Sequence, residues 1–236
     1  MSAVLVLDCY LDDFGCPPGF RPPEVWPHHW VRAAHDPLEA LPRRADDFAA
    51  IVISGSAASV LDELPWSLAI EELVADARAK AVPTLGVCYG HQLIAKRLFD
   101  ATARADVPEV GWFDVAVNPH GQAEGMLPGP LPEEFRCFLS HYDEVRATGH
   151  PDMQVLAASE ACAVQAFKVA DAPMFGVQFH AEFARDEALE LFDVRVGNTP
   201  DVVDDAAAMR ARAVDTSAIW RAFYDGFLSR FAPRRA

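Results

Sequence analysis

Short apolar runs alternate with stretches of helical periodicity through most of this chain, a pattern that predicts a parallel sheet assembled from strand-helix-strand units. Residues 3–8 and 49–54 are nearly continuous apolar runs of strand length, so both read as strands covered on two faces. Residues 66–81 read as a helix between that second run and the next strand. A strand over 83–87 follows, then a second helix-like stretch through Leu93, Ile94, Ala95 and Leu98. Residues 110–118, 136–139, 154–159 and 163–169 read as further strands in a mixed extension of the sheet, and the run from Met174 as one more buried strand. The expected architecture is one α/β domain spanning 1–236, an open, mostly parallel sheet with helices on both faces. Within its tail, 204–231, the residues Ile219, Trp220, Phe223, Tyr224, Phe227 and Leu228 form a helical stripe, expected to dock on the chain's own domain. Five prolines between 15 and 27 exclude regular helix there and predict a fixed loop near the strand ends. A surface connection is the favoured reading of that loop, ahead of a frame for a substrate mouth.

Gly86-Val87-Cys88-Tyr89-Gly90-His91-Gln92 lies where the strand over 83–87 gives way to the second helix. So sharp a turn crowds the backbone at its tip, and the positions two before and two after must be very small, as in the nucleophile elbow of G-x-S-x-G hydrolases. The tip residue here is a cysteine, and a helix N-terminus favours the negative charge of a thiolate. Alone, the segment is weak: free cysteines are mostly buried small hydrophobes, and glycines punctuate strand ends. A second segment changes the balance. Met174-Phe175-Gly176-Val177-Gln178-Phe179-His180-Ala181-Glu182 ends a buried run in a histidine, with a carboxylate two residues on. A thiol nucleophile needs a base to take and return its proton, and the base needs a group that fixes its tautomer. His180 and Glu182 supply both, at a strand's carboxyl end, where open parallel sheets gather their active residues.

Together these segments resemble the class I, triad-type glutamine amidotransferases, most closely the amidotransferase domain of guanosine monophosphate synthetase and its free-standing relatives. Ile51-Val52-Ile53-Ser54-Gly55-Ser56-Ala57-Ala58-Ser59 resembles the family's oxyanion loop, and Ser140-His141-Tyr142-Asp143-Glu144-Val145 its Ser-His-x-Asp segment. The likeness spans roughly residues 3–183. It implies a flavodoxin-like fold, Cys88 as nucleophile, His180 as general base and acid, and Glu182 as the group that orients the histidine. It also implies an oxyanion hole built from the backbone N–H groups of Ser56 and Tyr89, and substrate contacts from Gly55, Gln92, His141, Tyr142 and Asp143. Gly55-Ser56-Ala57 stands where the family usually has Gly-Gly-Pro, and a side chain at Ser56 restricts the loop. Either Ser56 keeps an ordinary backbone conformation and still offers its N–H, or a synthetase partner aligns the loop. Ala181, in place of the usual proline between histidine and glutamate, removes no reactive group.

Composition narrows the alternatives. At 236 residues, 51% of them hydrophobic, the chain can fill the core of such a sheet. Five cysteines without repeated short spacing argue against a disulfide framework and for a reducing compartment. The opening Met1-Ser2-Ala3 and its short apolar run do not read as a leader, and no stretch approaches a membrane span, so the cytoplasm is expected. A formal net charge of −15 tells against nucleic acid as a partner. His28 and His29 are adjacent and lack cysteine or carboxylate at ligand spacing, so no metal is expected, and no cofactor. Some fifty residues follow the histidine segment, too few for an acceptor-activating domain. Three readings stay open: a glutamine amidotransferase or glutaminase whose synthetase is a separate protein, a hydrolase of γ-glutamyl amines or peptides, and a non-catalytic regulatory or binding module.

Overall fold

In the computed structural model, which describes residues 3–12, 15–123 and 125–232, the apolar runs become strands of one nine-stranded sheet. Met1 and Ser2 of the opening segment lie outside the described residues. In chain order the elements are β1 (Val4–Asp8), β2 (His28–Arg32), β3 (Ala50–Ile53), α1 (Pro65–Ala79), β4 (Thr84–Val87), α2 (Tyr89–Phe99), β5 (Thr102–Val117), α3 (Pro119–Gln122), β6 (Glu134–Val145), β7 (Met153–Ala158), β8 (Ala166–Val169), β9 (Met174–Val177), α4 (Arg185–Asn198), α5 (Ala206–Ala211) and α6 (Ser217–Phe231). Their spatial order is β2-β1-β3-β4-β9-β8-β7-β5-β6. From β2 to β9 the neighbours run parallel, and from β9 to β6 each pair is antiparallel, the mixed extension read from the sequence.

The strand period of two explains why the first runs are apolar up to their last residue: both faces are covered. Leu5, Leu7, Ile51 and Ile53 pack with Ile70, Leu73 and Val74 of α1 and Leu93 and Ile94 of α2. Val4, Val6, Val52, Leu85 and Val87 face the other way, onto Trp220, Phe223, Tyr224, Phe227 and Leu228 of α6. The aromatic stripe thus docks on its own chain. It does not belong to one helix over 204–231, however: the tail forms α5 and α6 with a break between them. At the break the Asp215 side chain accepts hydrogen bonds from both the N–H and the hydroxyl of Ser217, offering the backbone a local alternative to helix.

The proline-rich segment is more than a surface connection. Its turn at Pro18–Phe20 buries Phe20, while the Gly19 carbonyl accepts from the Trp220 indole at 2.7 Å and the Phe20 carbonyl from the Tyr224 hydroxyl at 3.1 Å. A Cβ on Gly19 would lie 2.2 Å from the Glu182 carbonyl, so this loop is pressed directly against the histidine segment. Edge strand β2 carried no sequence signal, since His-His-Trp-Val-Arg neither alternates nor runs apolar; pairing with β1 creates it. β5 and β6 are much longer than the strands read over 110–118 and 136–139, and β6 takes in the whole Ser140 to Val145 segment. None of the described helices is long and apolar enough to cross a membrane.

Candidate active site

Cys88 stands between β4 and α2 at φ 48°, ψ −100°, a left-handed conformation that an L-residue adopts only when its surroundings impose it. The impositions are visible. The Cys88 N–H donates to the Val177 carbonyl at 2.8 Å, its own carbonyl accepts from Gln92 N–H, and Gly90 N–H reaches the Ser54 carbonyl at 3.1 Å. A Cβ on Gly86 would meet the Gly90 carbonyl at 2.4 Å, and one on Gly90 would meet the Ile53 carbonyl at 2.4 Å. The two flanking glycines are therefore demanded by backbone contact, as the spacing implies. The sulfur faces the Ser140 carbonyl of β6 at 3.9 Å.

β4 and β9 are parallel neighbours, so the segment after β9 arrives beside Cys88. His180 lies three residues beyond the last strand residue, Val177, held by its N–H donating to the Phe138 carbonyl at 2.8 Å. Its Nδ1 meets Glu182 Oε1 at 2.6 Å, and both residues are buried. That contact makes Nδ1 the protonated nitrogen and leaves Nε2 free to exchange a proton with sulfur or substrate. Burial pulls the pKa of His180 down, but Glu182 and Cys88 outweigh burial and raise it from 6.5 to about 10.

The sign of the resulting pH effect follows from linkage. Folded chain holds a His180 proton that unfolded chain releases near pH 6.5, so the stability it confers is complete below that pH and is lost as pH rises toward 10. Glu182→Gln removes much of the attraction. Urea denaturation from pH 7 upward should then show a shallower loss of stability than in the parent, by up to about 1.4 kcal/mol per pH unit. Equal slopes in the two proteins would mean that Glu182 does not hold the proton.

Cys88 opens into a cleft of about 220 Å³ walled by the oxyanion-loop segment on one side and β6 on the other. Neither Gly55 nor Ser56 takes a positive φ, so the side chain at Ser56 is accommodated in an ordinary conformation, with its Oγ accepting from Ala58 N–H at 3.1 Å. Gly55 is closely packed instead: a Cβ there would lie 3.0 Å from His180 Cε1 and 3.1 Å from the Tyr10 hydroxyl, so either ring would have to shift by a few tenths of an ångström. Tyr89 begins α2, where a helix leaves its first N–H groups without intrahelical partners. Gln92 Nε2 donates to the Asp143 carbonyl at 2.7 Å and to Gln178 Oε1 at 3.0 Å, tying α2 to β6 and to the histidine segment. Tyr142 and Asp143 also line the cleft; Asp143 accepts from the Ser59 hydroxyl at 2.5 Å and pairs with Arg104 at 3.0 Å. His141 reaches the same wall, but its ring is buried, with Nδ1 on the Asp143 carbonyl and Nε2 on Glu109, each at 3.0 Å.

Three groups at this site carry no signal in the sequence. Tyr10 brings over Gly55, next to His180, a buried hydroxyl that has no hydrogen-bond partner among the described residues. Arg104 reaches the cleft from β5, just ahead of a bulge in its pairing with β6, and Arg195 reaches it from α4. No local motif marks any of them, because each arrives through an element remote from the elbow. Glu109, His141 and Cys162 place one ligand-type atom each within 4.8 Å of one another, with His141 and Glu109 already in contact. Thiol, imidazole and carboxylate brought together at one end of a sheet can pass a proton from sulfur to ring and from ring to a leaving group.

Comparison with known proteins bears on the same segments. The sequence profile of the family described as glutamine amidotransferase class-I matches residues 27–192. The glutamine-hydrolysing GMP synthase subunit of Pyrococcus abyssi is 39% identical over 106 residues, 45% of this chain and 54% of that one. The corresponding subunit of Methanococcus vannielii is 40% identical over 111 residues, 47% and 56% of the two chains. The chain thus spans about half the length of the curated relatives it matches. In fold, it is similar to the crystal structure of a glutamine amidotransferase from Methylobacillus flagellatus, with a TM-score of 0.70 at 23% identity over 98% of this chain and 91% of that one. Because the matched stretch holds the elbow at Cys88, the β6 segment and the His180–Glu182 pair in one continuous span, the chain belongs to the class-I glutamine amidotransferase family.

Proposed function

We propose that this chain, acting as one amidotransferase domain, hydrolyses the side-chain amide of glutamine and passes the ammonia to a separate acceptor-activating protein. The observation that carries the reading is the 2.6 Å contact between His180 and Glu182 beside the cleft into which Cys88 opens. The Cys88 sulfur attacks the carboxamide carbon with its proton already carried on His180 Nε2. Backbone N–H groups of Ser56 and Tyr89 receive the developing oxyanion. His180 returns the proton to the departing nitrogen, ammonia leaves, and a glutamyl thioester remains. Water, deprotonated by the same imidazole, then attacks the thioester, giving glutamate and regenerating the thiol.

Support for a separate partner comes from the relatives' names, which designate one subunit of a glutamine-hydrolysing synthase. Gly55, Gln92, Tyr142 and Asp143 are assigned to the substrate wall, and His141 to the same wall through its backbone, since both ring nitrogens are occupied. Purified protein incubated with glutamine should release ammonia and accept a glutamine-like electrophile at Cys88. Turnover of γ-glutamyl amides but not of glutamine would replace this reading with a γ-glutamyl hydrolase. Absence of both turnover and Cys88 labelling would reduce the chain to a binding module. Labelling without turnover would place activation with the partner.

A further inference from the structure

Among the described residues, four arginines bury an Nε–H that has no hydrogen-bond partner: Arg32, Arg97, Arg195 and Arg212. Three of these pair with a carboxylate, Asp8, Glu72 and Asp114 respectively. Arg195 alone among the four forms no ion pair with a described residue, in a chain where acidic residues outnumber Lys and Arg by 35 to 20. Its place is the last turn of α4, where the helix dipole favours a cation, yet a dipole does not satisfy an inward N–H. Half-buried and uncompensated positive charge is costly and calls for a counter-ion.

The position of that charge says what the counter-ion is for. Arg195 lines the same cleft as Cys88. The other cation there, Arg104, is already neutralised by Asp143 at 3.0 Å, and Asp143 is further held by Ser59. Among the described residues, one free guanidinium therefore remains in the cleft, and a guanidinium matches a carboxylate in shape and in paired donors. We propose that Arg195 is a specificity residue that binds the free α-carboxylate of the substrate, so that the cleft takes an α-amino acid bearing a γ-carboxamide and discriminates against γ-glutamyl groups whose α-carboxyl is esterified or in peptide linkage. The inference rests on Cys88 being the nucleophile of this cleft.

The test uses the chloroketone analogue of glutamine and its α-methyl ester, with the rate of Cys88 alkylation followed by mass spectrometry of the Cys88 peptide. The parent protein should react about tenfold or more faster with the free acid than with the ester, from one charged hydrogen-bonded contact. Arg195→Gln should bring the ratio close to one, and Arg195→Lys should restore part of it. In glutamine hydrolysis the Gln variant should raise KM by a similar factor with kcat little changed, the mark of lost ground-state binding. A parent protein that alkylates with acid and ester alike, or a Gln variant that keeps the full preference, overturns the proposal even if glutamine is hydrolysed. Preference for the acid without ammonia release upholds Arg195 and places activation of the hydrolysis with the partner.

Discussion

Alanine in place of Cys88 should abolish ammonia release from glutamine, with kcat falling by at least about four orders of magnitude, as when the nucleophile of a triad is removed. The loss is chemical. Without the sulfur no thioester forms, and neither the His180 imidazole nor the backbone N–H groups of the elbow can substitute for a missing nucleophile. Alanine meets the same left-handed backbone conformation that cysteine accepts at φ 48°, and the sulfur's contact with the Ser140 carbonyl is long at 3.9 Å. The variant should therefore keep the unfolding midpoint of the parent to within a few degrees. Steady-state ammonia release and a thermal melt on the same preparation check both halves. A variant that retains a tenth of the parent activity would move the nucleophile away from Cys88.

Gly90→Ala should have the largest effect on stability. The added Cβ would sit 2.4 Å from the Ile53 carbonyl oxygen and 2.8 Å from the Ile53 Cβ, and the nearest of these is the fixed backbone of a central strand. Relief requires α2 to draw away from β3, breaking the Gly90 to Ser54 hydrogen bond of 3.1 Å and shifting the elbow itself. A cost of about 3–5 kcal/mol is expected, equivalent to a fall of roughly 10 °C in unfolding midpoint for a chain of this length. Gly197→Ala provides the contrast. In the last turn of α4, no atom lies within 4 Å of the point a Cβ on Gly197 would occupy, so alanine there should be neutral or stabilise by about 0.5 kcal/mol. Equal melting temperatures for the two variants would show that the elbow glycine is not sterically required.

Much of the site was legible because its parts are local. Gly86, Cys88 and Gly90 lie within five residues, so their spacing is readable in the sequence even though the contact that excludes a Cβ at Gly90 comes from Ile53 on β3. His180 and Glu182 are two residues apart and meet at 2.6 Å. The tail stripe was legible in the same way and lies wholly in α6, although the tail around it breaks into two helices ahead of Ser217. Where the reading fell short, the deciding contact spans distant segments. His141 carries a motif position, yet Glu109 on the neighbouring strand claims its ring, so the wall it contributes is backbone.

By itself, then, the order of residues determined the alternation of strands and helices, the covered faces of the first strands, the elbow and the histidine-carboxylate pair, since each depends on periodicity or on spacing over a few positions. Tertiary structure alone decided that β2 exists, that the proline-rich loop is clamped under Trp220 and Tyr224, that Tyr10 stands over Gly55, and that Arg195 has no carboxylate among the described residues of the cleft. These depend on burial and charge pairing between segments far apart in the chain, which no local pattern encodes.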